Sequence, residues 1–276
     1  MFKKYGILGI ILIVLTQLNF IFKIEPFASW YFPIIWLGYI LVIDALIYKL
    51  KKSSLISNRF YTFIGLFILS AFFWYIFEFL NTFAVNNWTY IGTEALGQSR
   101  TLFEYISFAT VLPALFETSE LIRALHLFDN KKLKKSHKIT KTFLYIMMTA
   151  GIISFFLPFF LPAFTFPLIW LSFFLILDPI NYLHKQPSII QHLKDKKLAI
   201  PLSLLLAGII LGFFWEFWNY WATVKWTYTV PYVGFFKIFE MPILGYLGYF
   251  PFAFELYAMY WFVRSLFIKK ESLLVK

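Results

Sequence analysis

The chain has 276 residues, of which 61% are hydrophobic, 23% aromatic and 14% charged, and its formal net charge is +11 at pH 7. A soluble domain is far less apolar, so this composition predicts an integral membrane protein. The sequence contains no cysteine, which excludes disulfides, thiol catalysis and thiolate metal sites. The apolar stretches lack the alternation of a membrane barrel, so we expect an all-α membrane protein.

Eight apolar stretches are long enough to cross a bilayer as helices. In chain order they cover residues 6–23, 31–49, 60–84, 103–127, 140–161, 165–183, 198–222 and 242–268. Every second loop is basic, and the cations at the chain ends are Lys3, Lys4, Lys269, Lys270 and Lys276. The positive-inside rule then predicts a multi-pass protein of the cytoplasmic (inner) membrane with both termini in the cytoplasm. The positive charge comes mostly from the basic loops that set the orientation in the membrane, so we expect membrane lipids and no nucleic acid as partners.

The two halves of the chain repeat the same residues. At an offset of 138 positions, the repeated pairs are Glu78 and Glu216, Asn81 and Asn219, Trp88 and Trp226, Tyr90 and Tyr228, and Glu117 and Glu255. Asp44 recurs as Asp178 at an offset of 134. A repeat is a structural unit used twice, and a unit with an even number of spans inserts the same way up both times. We expect eight transmembrane helices in two parallel four-helix repeats with pseudo-twofold symmetry along the membrane normal.

The repeats set the expected domain organisation. The first repeat covers residues 1–128 and the second covers 142–276, and a basic cytoplasmic linker at 129–141 joins them. Both belong to one membrane domain, because each needs partners for its polar face.

Acidic residues within the apolar stretches are functional candidates, because an acid in a membrane span is costly. The candidates for acid and base are Glu78, Glu117, Glu216 and Glu255, and the third matched pair is Asp44 and Asp178. Burial with few cations disfavours the charged form, so some of the glutamates should be protonated near neutral pH. An alternative interpretation is that these acids are neutral hydrogen-bonding groups that hold the helices together.

Polar and aromatic residues around Glu78 and Glu216 complete the candidate site. Asn81 and Asn219 lie one helical turn after the two glutamates, so each amide is expected to orient a carboxyl group. The other candidates for ligand binding are Trp74, Trp88, Tyr90, Trp215, Trp218, Trp226 and Tyr228. Ring faces stabilise a cationic intermediate, although aromatic residues also form the interfacial belts of membrane proteins.

Histidine chemistry is not expected inside the membrane. The four histidines, which are His126, His137, His184 and His192, fall at or beyond cytoplasmic helix ends. The sequence also lacks a glycine-rich phosphate loop and a dinucleotide fingerprint. We therefore expect neither a metal site nor a cofactor.

The segment Trp215-Glu216-Phe217-Trp218-Asn219, followed by Trp226-Thr227-Tyr228, resembles the small membrane lycopene cyclase domain of the heterodimeric or fused type. That family also uses a short helical unit twice, with a Trp–acid pair, a W-x-Y loop and a proline followed by glutamates. This chain has one acid four residues after each proline, at Glu117 and Glu255, where the family has two adjacent glutamates.

The resemblance implies a redox-neutral isomerase of the lycopene cyclase kind that modifies an isoprenoid or carotenoid. A carboxylic acid protonates the end of a polyene, the carbocation closes a ring, and a carboxylate removes a proton. Glu216 with Glu255, or Glu78 with Glu117, would supply the acid and the base.

Two other functions stay open at this stage. Titratable acids in a duplicated helical bundle also suit a proton-coupled transporter of a lipid-like or amphipathic solute. A non-enzymatic membrane scaffold is the third alternative. The expected ligand is a hydrophobic isoprenoid or lipid-like molecule, and the sequence leaves a homodimer open.

Overall fold

The computed structural model describes residues 1–135 and 138–267, and these residues are mostly helical. The α-helices among them are α1 (Lys4–Phe22), α2 (Tyr31–Lys51), α3 (Leu55–Asn58), α4 (Phe60–Leu80), α5 (Arg100–Ala109), α6 (Val111–Ala124), α7 (Lys141–Phe156), α8 (Pro162–Thr165), α9 (Ile169–Leu183), α10 (Ile189–Lys194), α11 (Ala199–Trp221) and α12 (Tyr249–Phe267). The short strands are β1 (Trp88–Ile91), β2 (Lys225–Tyr228), β3 (Lys237–Ile238) and β4 (Met241–Pro242). His137 and the lysines at 269, 270 and 276 lie outside the described residues.

Six helical segments of the described residues are long and apolar enough to cross a membrane. They are Lys4–Phe22, Tyr31–Lys51, Phe60–Val85, Lys141–Phe159, Pro162–Leu183 and Ala199–Trp221. Each coincides with one of the predicted stretches. The predicted helical class, with apolar helices long enough to cross a membrane, is therefore confirmed.

The fourth predicted stretch is helical but divided, because α5 and α6 meet at Thr110. Pro113 has no N–H for the carbonyl four residues before it, and its ring clashes there. Ser70 of α4 compensates at this break. Its hydroxyl donates to the Phe108 carbonyl and accepts the Leu112 N–H at 3.0 Å.

The eighth predicted stretch becomes α-helical later than expected, at Tyr249. β4 occupies the position where the helix was expected to begin, and it pairs with β3 as a small hairpin. A 3₁₀ segment, Ile243–Gly248, leads into α12. Pro251 then lies in the first turn of α12, as Pro113 does in α6, and a first turn tolerates the missing N–H.

The centre of the molecule is built from α2, α4, α6, α9, α11 and α12. α6 packs against α2, α4 and α11, while α12 packs against α9 and α11. α1 packs on α2, and α7 packs on α9. Only 22% of the most apolar window is buried in Lys4–Phe22, in Lys141–Phe159 and in Pro162–Leu183, against 67% in α2. α1 and α7 pack mainly on one helix each and expose apolar side chains, so they are peripheral, whereas α9 packs on both α7 and α12.

Asp44 and Asp178 hold short helices at the ends of α2 and α9. The Asp178 carboxylate accepts the first two N–H groups of α10, from Ile189 at 2.7 Å and Ile190 at 2.9 Å. Asp44 accepts the Ile56 N–H of α3 at 2.8 Å and also the Tyr5 hydroxyl. Both aspartates are fully buried, so their hydrogen bonds satisfy helix termini that water does not reach. This supports the structural interpretation of the aspartate pair.

Replacing Asp178 by alanine is expected to destabilise the protein by about 2 kcal/mol or more, because two buried N–H groups lose their acceptor. The apparent unfolding temperature in detergent should fall by roughly 2–4 °C per kcal/mol. Asp195→Ala is the matched control, since Asp195 is exposed and its carboxylate accepts a side-chain bond from Gln191. Equal unfolding temperatures for the two variants would contradict the capping role.

Candidate functional site

The two repeated Trp-Thr-Tyr segments pair with each other. β1 and β2 are antiparallel, with Trp88 opposite Tyr228, Thr89 opposite Thr227, and Tyr90 opposite Trp226. Trp88 thus faces the repeat equivalent of Tyr90, Tyr90 faces the repeat equivalent of Trp88, and Thr89 faces its own equivalent, with the two threonine hydroxyls 3.4 Å apart. This ladder brings the motif of one half beside the motif of the other.

The two asparagines fix the start of each strand. Asn219 donates to the Trp226 carbonyl at 2.8 Å and accepts the Trp226 N–H at 2.9 Å. Asn81 makes the same pair of bonds with the backbone of Trp88, at 2.8 and 3.2 Å. The expectation that these amides orient the glutamates is therefore wrong for the described residues. In each half, the amide N–H and the amide oxygen instead satisfy the backbone carbonyl and N–H at the strand.

Aromatic donors surround the Glu78 carboxyl group. Its Oε1 accepts the indole N–H of Trp74 at 2.8 Å, the indole N–H of Trp88 at 3.2 Å, and the Tyr90 hydroxyl. Glu78 is only partly buried. In the first repeat, two of the three groups that hold the carboxyl are therefore indoles.

Tyrosines surround the fully buried Glu216. Its Oε1 accepts the hydroxyls of Tyr228 and Tyr249, each at 2.7 Å. Trp226 donates its indole N–H to the Tyr228 oxygen at 2.8 Å rather than to the glutamate. In the second repeat, the two groups that bond Oε1 within 2.7 Å are both hydroxyls.

The difference between the repeats comes from an exchange of side-chain size. Trp74 of α4 and Val111 of α6 correspond, at the offset of 138, to Gly212 of α11 and Tyr249 of α12. A Cβ atom on Gly212 would lie 2.3 Å from the Tyr249 ring. The large aromatic donor to the glutamate is thus Trp74 of α4 in the first repeat and Tyr249 of α12 in the second. Gly212 leaves the space that the Tyr249 ring occupies.

The tyrosines of the two strands keep their protons. Burial, and after it the charge of the neighbouring glutamate, raises the pKa of Tyr90 and of Tyr228 well above the usual value. Both hydroxyls therefore remain hydrogen-bond donors at neutral pH.

A cavity of about 440 Å³ lies against this network. Of the predicted ligand-binding residues, Trp74, Trp88, Tyr90, Trp215, Trp226 and Tyr228 line it. Tyr249 and Trp170 also line it, and most of the remaining wall is apolar. Its volume is that of a small-molecule site, and such sites are mainly apolar with a few polar groups.

The rim of the cavity includes exposed aromatic residues. Phe164 and Tyr232 both line it, are each 70% exposed, and stack with ring centroids 5.3 Å apart. Two charged side chains in the wall are already paired, Lys225 with Glu240 and Glu104 with Arg100. The cavity therefore offers an apolar interior with neutral hydroxyls, and its charges are engaged elsewhere.

Other predicted site residues lie outside the cavity wall. Trp218 is 3% exposed and packs against Trp36 at 4.8 Å between centroids, so it belongs to the core. Glu117 and Glu255 are fully buried, and Glu255 accepts the Phe173 N–H at 2.8 Å. Neither glutamate is among the residues that line the cavity. Glu78 and Glu216 do not line the cavity either, but the tyrosines that hydrogen-bond to them, Tyr90, Tyr228 and Tyr249, do.

Tyr249 is the site residue that the sequence analysis missed. It lies outside the repeated pattern, because its equivalent in the first repeat is Val111. The size exchange with Gly212 and Trp74 is the signal that identifies it. Among residues 1–135 and 138–267, no cluster of three or more histidine and acidic side chains is suited to hold a metal ion.

Comparison with models of known protein families, with curated proteins and with solved structures finds no match to this chain.

Proposed function

We propose that the protein is an integral membrane enzyme that cyclises the end group of a polyene, such as a carotenoid, in a redox-neutral, proton-initiated reaction. The observation that carries this proposal is an aromatic-walled cavity that includes the tyrosines hydrogen-bonded to Glu216 and Glu78. Its ligand would be a hydrophobic isoprenoid, and the reaction needs no cofactor.

The chemistry of the wall suits a carbocation. Protonation of an alkene places positive charge on carbon, and the faces of Trp and Tyr rings attract a cation through their quadrupole. Trp88, Trp215 and Trp226 provide such faces. Water is kept from the intermediate by the apolar wall, and exclusion of water prevents capture of a reactive cation.

The acid and base assignment changes with the structure. Glu216 is the proposed proton carrier, because it is fully buried and bonded to two tyrosines of the cavity wall. Glu78 is the corresponding carrier of the first repeat. Glu216 and Glu78 bond tyrosines of the cavity wall, whereas Glu255 bonds the backbone of Phe173, which does not line the cavity, so we give Glu117 and Glu255 a supporting role.

The finer topology is part of the same proposal. We infer eight membrane crossings in two parallel repeats, with α5 and α6 as the fourth crossing and α12 as the eighth. The symmetric pairing of β1 with β2 and the matched caps by Asp44 and Asp178 support a pseudo-twofold axis along the membrane normal. Both termini would lie in the cytoplasm, and the cytoplasmic membrane is the expected location.

The shape of the cavity favours an enzyme over a transporter. A transporter needs polar groups along a path across the bilayer, whereas this cavity is apolar and is lined by the loop segments and the adjoining helix turns. An aromatic pocket whose wall holds tyrosines hydrogen-bonded to a carboxyl group suits a reaction at one end of a long apolar ligand.

The proposal predicts a product in a bacterial host that accumulates lycopene. Cells that express the chain should contain monocyclic or bicyclic carotenoid, which pigment chromatography separates from lycopene. Unchanged lycopene in cells whose membranes hold the protein would contradict the proposed substrate.

A further inference from the structure

We propose that Tyr249 is the residue that passes the proton between Glu216 and the ligand, so that the second repeat is the working site. This inference rests on the proposed function and names the repeat and the hydroxyl through which it operates. The inference depends on how the groups around Glu216 differ from those around Glu78, its equivalent in the first repeat.

The two glutamates differ in what their donors can do. A tyrosine hydroxyl both donates and accepts a hydrogen bond, whereas an indole N–H only donates. Two indoles and one hydroxyl hold Glu78, whereas two hydroxyls hold Glu216. A proton can pass through a hydroxyl by exchange, but it cannot pass through an indole.

Of the two hydroxyls at Glu216, Tyr249 is the better relay. The Tyr228 oxygen already accepts the Trp226 indole N–H at 2.8 Å. Tyr249 donates to Glu216 at 2.7 Å, and its side chain lines the cavity beside Trp215, with ring centroids 5.7 Å apart. The Tyr249 oxygen is thus the acceptor best placed for a proton that leaves a ligand.

The observed direction of the hydrogen bond gives the base step directly. A C–H bond of the cyclic carbocation breaks, its electron pair forms the new C=C bond, and the proton goes to the Tyr249 oxygen. The Tyr249 hydroxyl proton moves at the same time to Oε1 of Glu216. The acid step is the reverse: Glu216 returns a proton through Tyr249 to the next alkene. One proton enters and one leaves in each cycle, so the relay is regenerated without an oxidant or reductant.

Gly212 makes this relay possible. With any larger residue at this position, the added Cβ would meet the Tyr249 ring at 2.3 Å. The first repeat has Trp74 at the equivalent position and Val111 in place of the tyrosine, so it has no equivalent hydroxyl. Tyr90 at Glu78 corresponds to Tyr228, so the space above Gly212 gives the second repeat an additional hydroxyl, and this addition favours it as the working site.

The test compares Tyr249→Phe with Trp74→Phe in membranes that convert lycopene. Tyr249→Phe should lower kcat by about 100-fold, because general acid–base groups contribute about 10²–10⁴-fold, while KM stays within about threefold. Trp74→Phe should lower kcat by less than about tenfold. Tyr39→Phe is the matched control with native activity, since the Tyr39 hydroxyl bonds Thr118 and removal of that bond leaves the cavity wall intact.

A Tyr249→Phe protein with kcat within threefold of the native value would overturn the relay and leave the cyclase proposal standing. An equal loss in Trp74→Phe would overturn the choice of repeat. A native protein that forms no cyclic product removes both proposals.

If Tyr249→Phe fails to reach the membrane, Gly212→Ala provides the second variant. It keeps the hydroxyl but displaces the ring, and native kcat in it would overturn the relay.

Discussion

Replacing Glu216 by glutamine is expected to reduce cyclic carotenoid formation by about 100-fold or more. Glutamine has the size of glutamate, and its amide oxygen can still accept the hydroxyls of Tyr228 and Tyr249. It cannot carry the proton that the reaction adds and removes. A loss of general acid–base catalysis costs about 10²–10⁴-fold in rate, so the effect should be visible in whole-cell pigment analysis.

The controls for Glu216→Gln separate chemistry from folding. Glu94→Gln makes the same chemical change at an exposed residue outside the cavity wall and should leave product formation at the native level. Glu78→Gln should have a smaller effect than Glu216→Gln, because the first repeat lacks the Tyr249 hydroxyl. Native product formation by Glu216→Gln, with the protein present in the membrane, would remove this carboxyl from the mechanism.

Replacing Gly212 by tryptophan is expected to destabilise the protein strongly. The first side-chain carbon would already lie 2.3 Å from the ring of Tyr249 and 2.6 Å from another atom of that ring. Overpacking of a buried site typically costs about 1–3 kcal/mol, and an indole is a large insertion. The apparent unfolding temperature in detergent, and the amount of protein in the membrane, should both fall.

The double variant Gly212→Trp with Tyr249→Val should recover much of this stability. It copies the Trp74 and Val111 arrangement of the first repeat into the second, so the volumes again match across the helix pair. Cyclisation should remain as low as in Tyr249→Phe, because the relay hydroxyl is still absent. A double variant that is no more stable than Gly212→Trp would contradict the exchange of side-chain size between the repeats.

Much of the fold follows from hydropathy and from the repeat. The helical membrane class depends only on the length and polarity of the apolar stretches, and six of them are span-capable helices. The boundaries near Pro113 and at 242 were not predictable from hydropathy. These boundaries depend on local hydrogen bonds, namely those of Ser70 across the break between α5 and α6 and those that pair β3 with β4.

The candidate site was predictable where it is repeated. Glu216, Trp226 and Tyr228 were identified because the chain contains the same pattern at Glu78, Trp88 and Tyr90. Tyr249 was missed because it breaks the pattern.

Spacing along one helix was also misleading. Asn219 lies on the same helix face as Glu216, but its amide is occupied by the backbone of Trp226, seven residues further on. The hydrogen-bonding needs of a strand end outweighed the proximity of a side chain within the helix.

Solvent deuterium incorporation tests the central claim, proton-initiated cyclisation, most directly. Membranes that contain the protein convert lycopene in D₂O, and mass spectrometry counts the deuterium in the cyclic product. About one deuteron is expected for each ring closed, provided by Glu216 after its proton exchanges with solvent through the open cavity between turnovers. A cyclic product without deuterium, or no cyclic product at all, would contradict the claim.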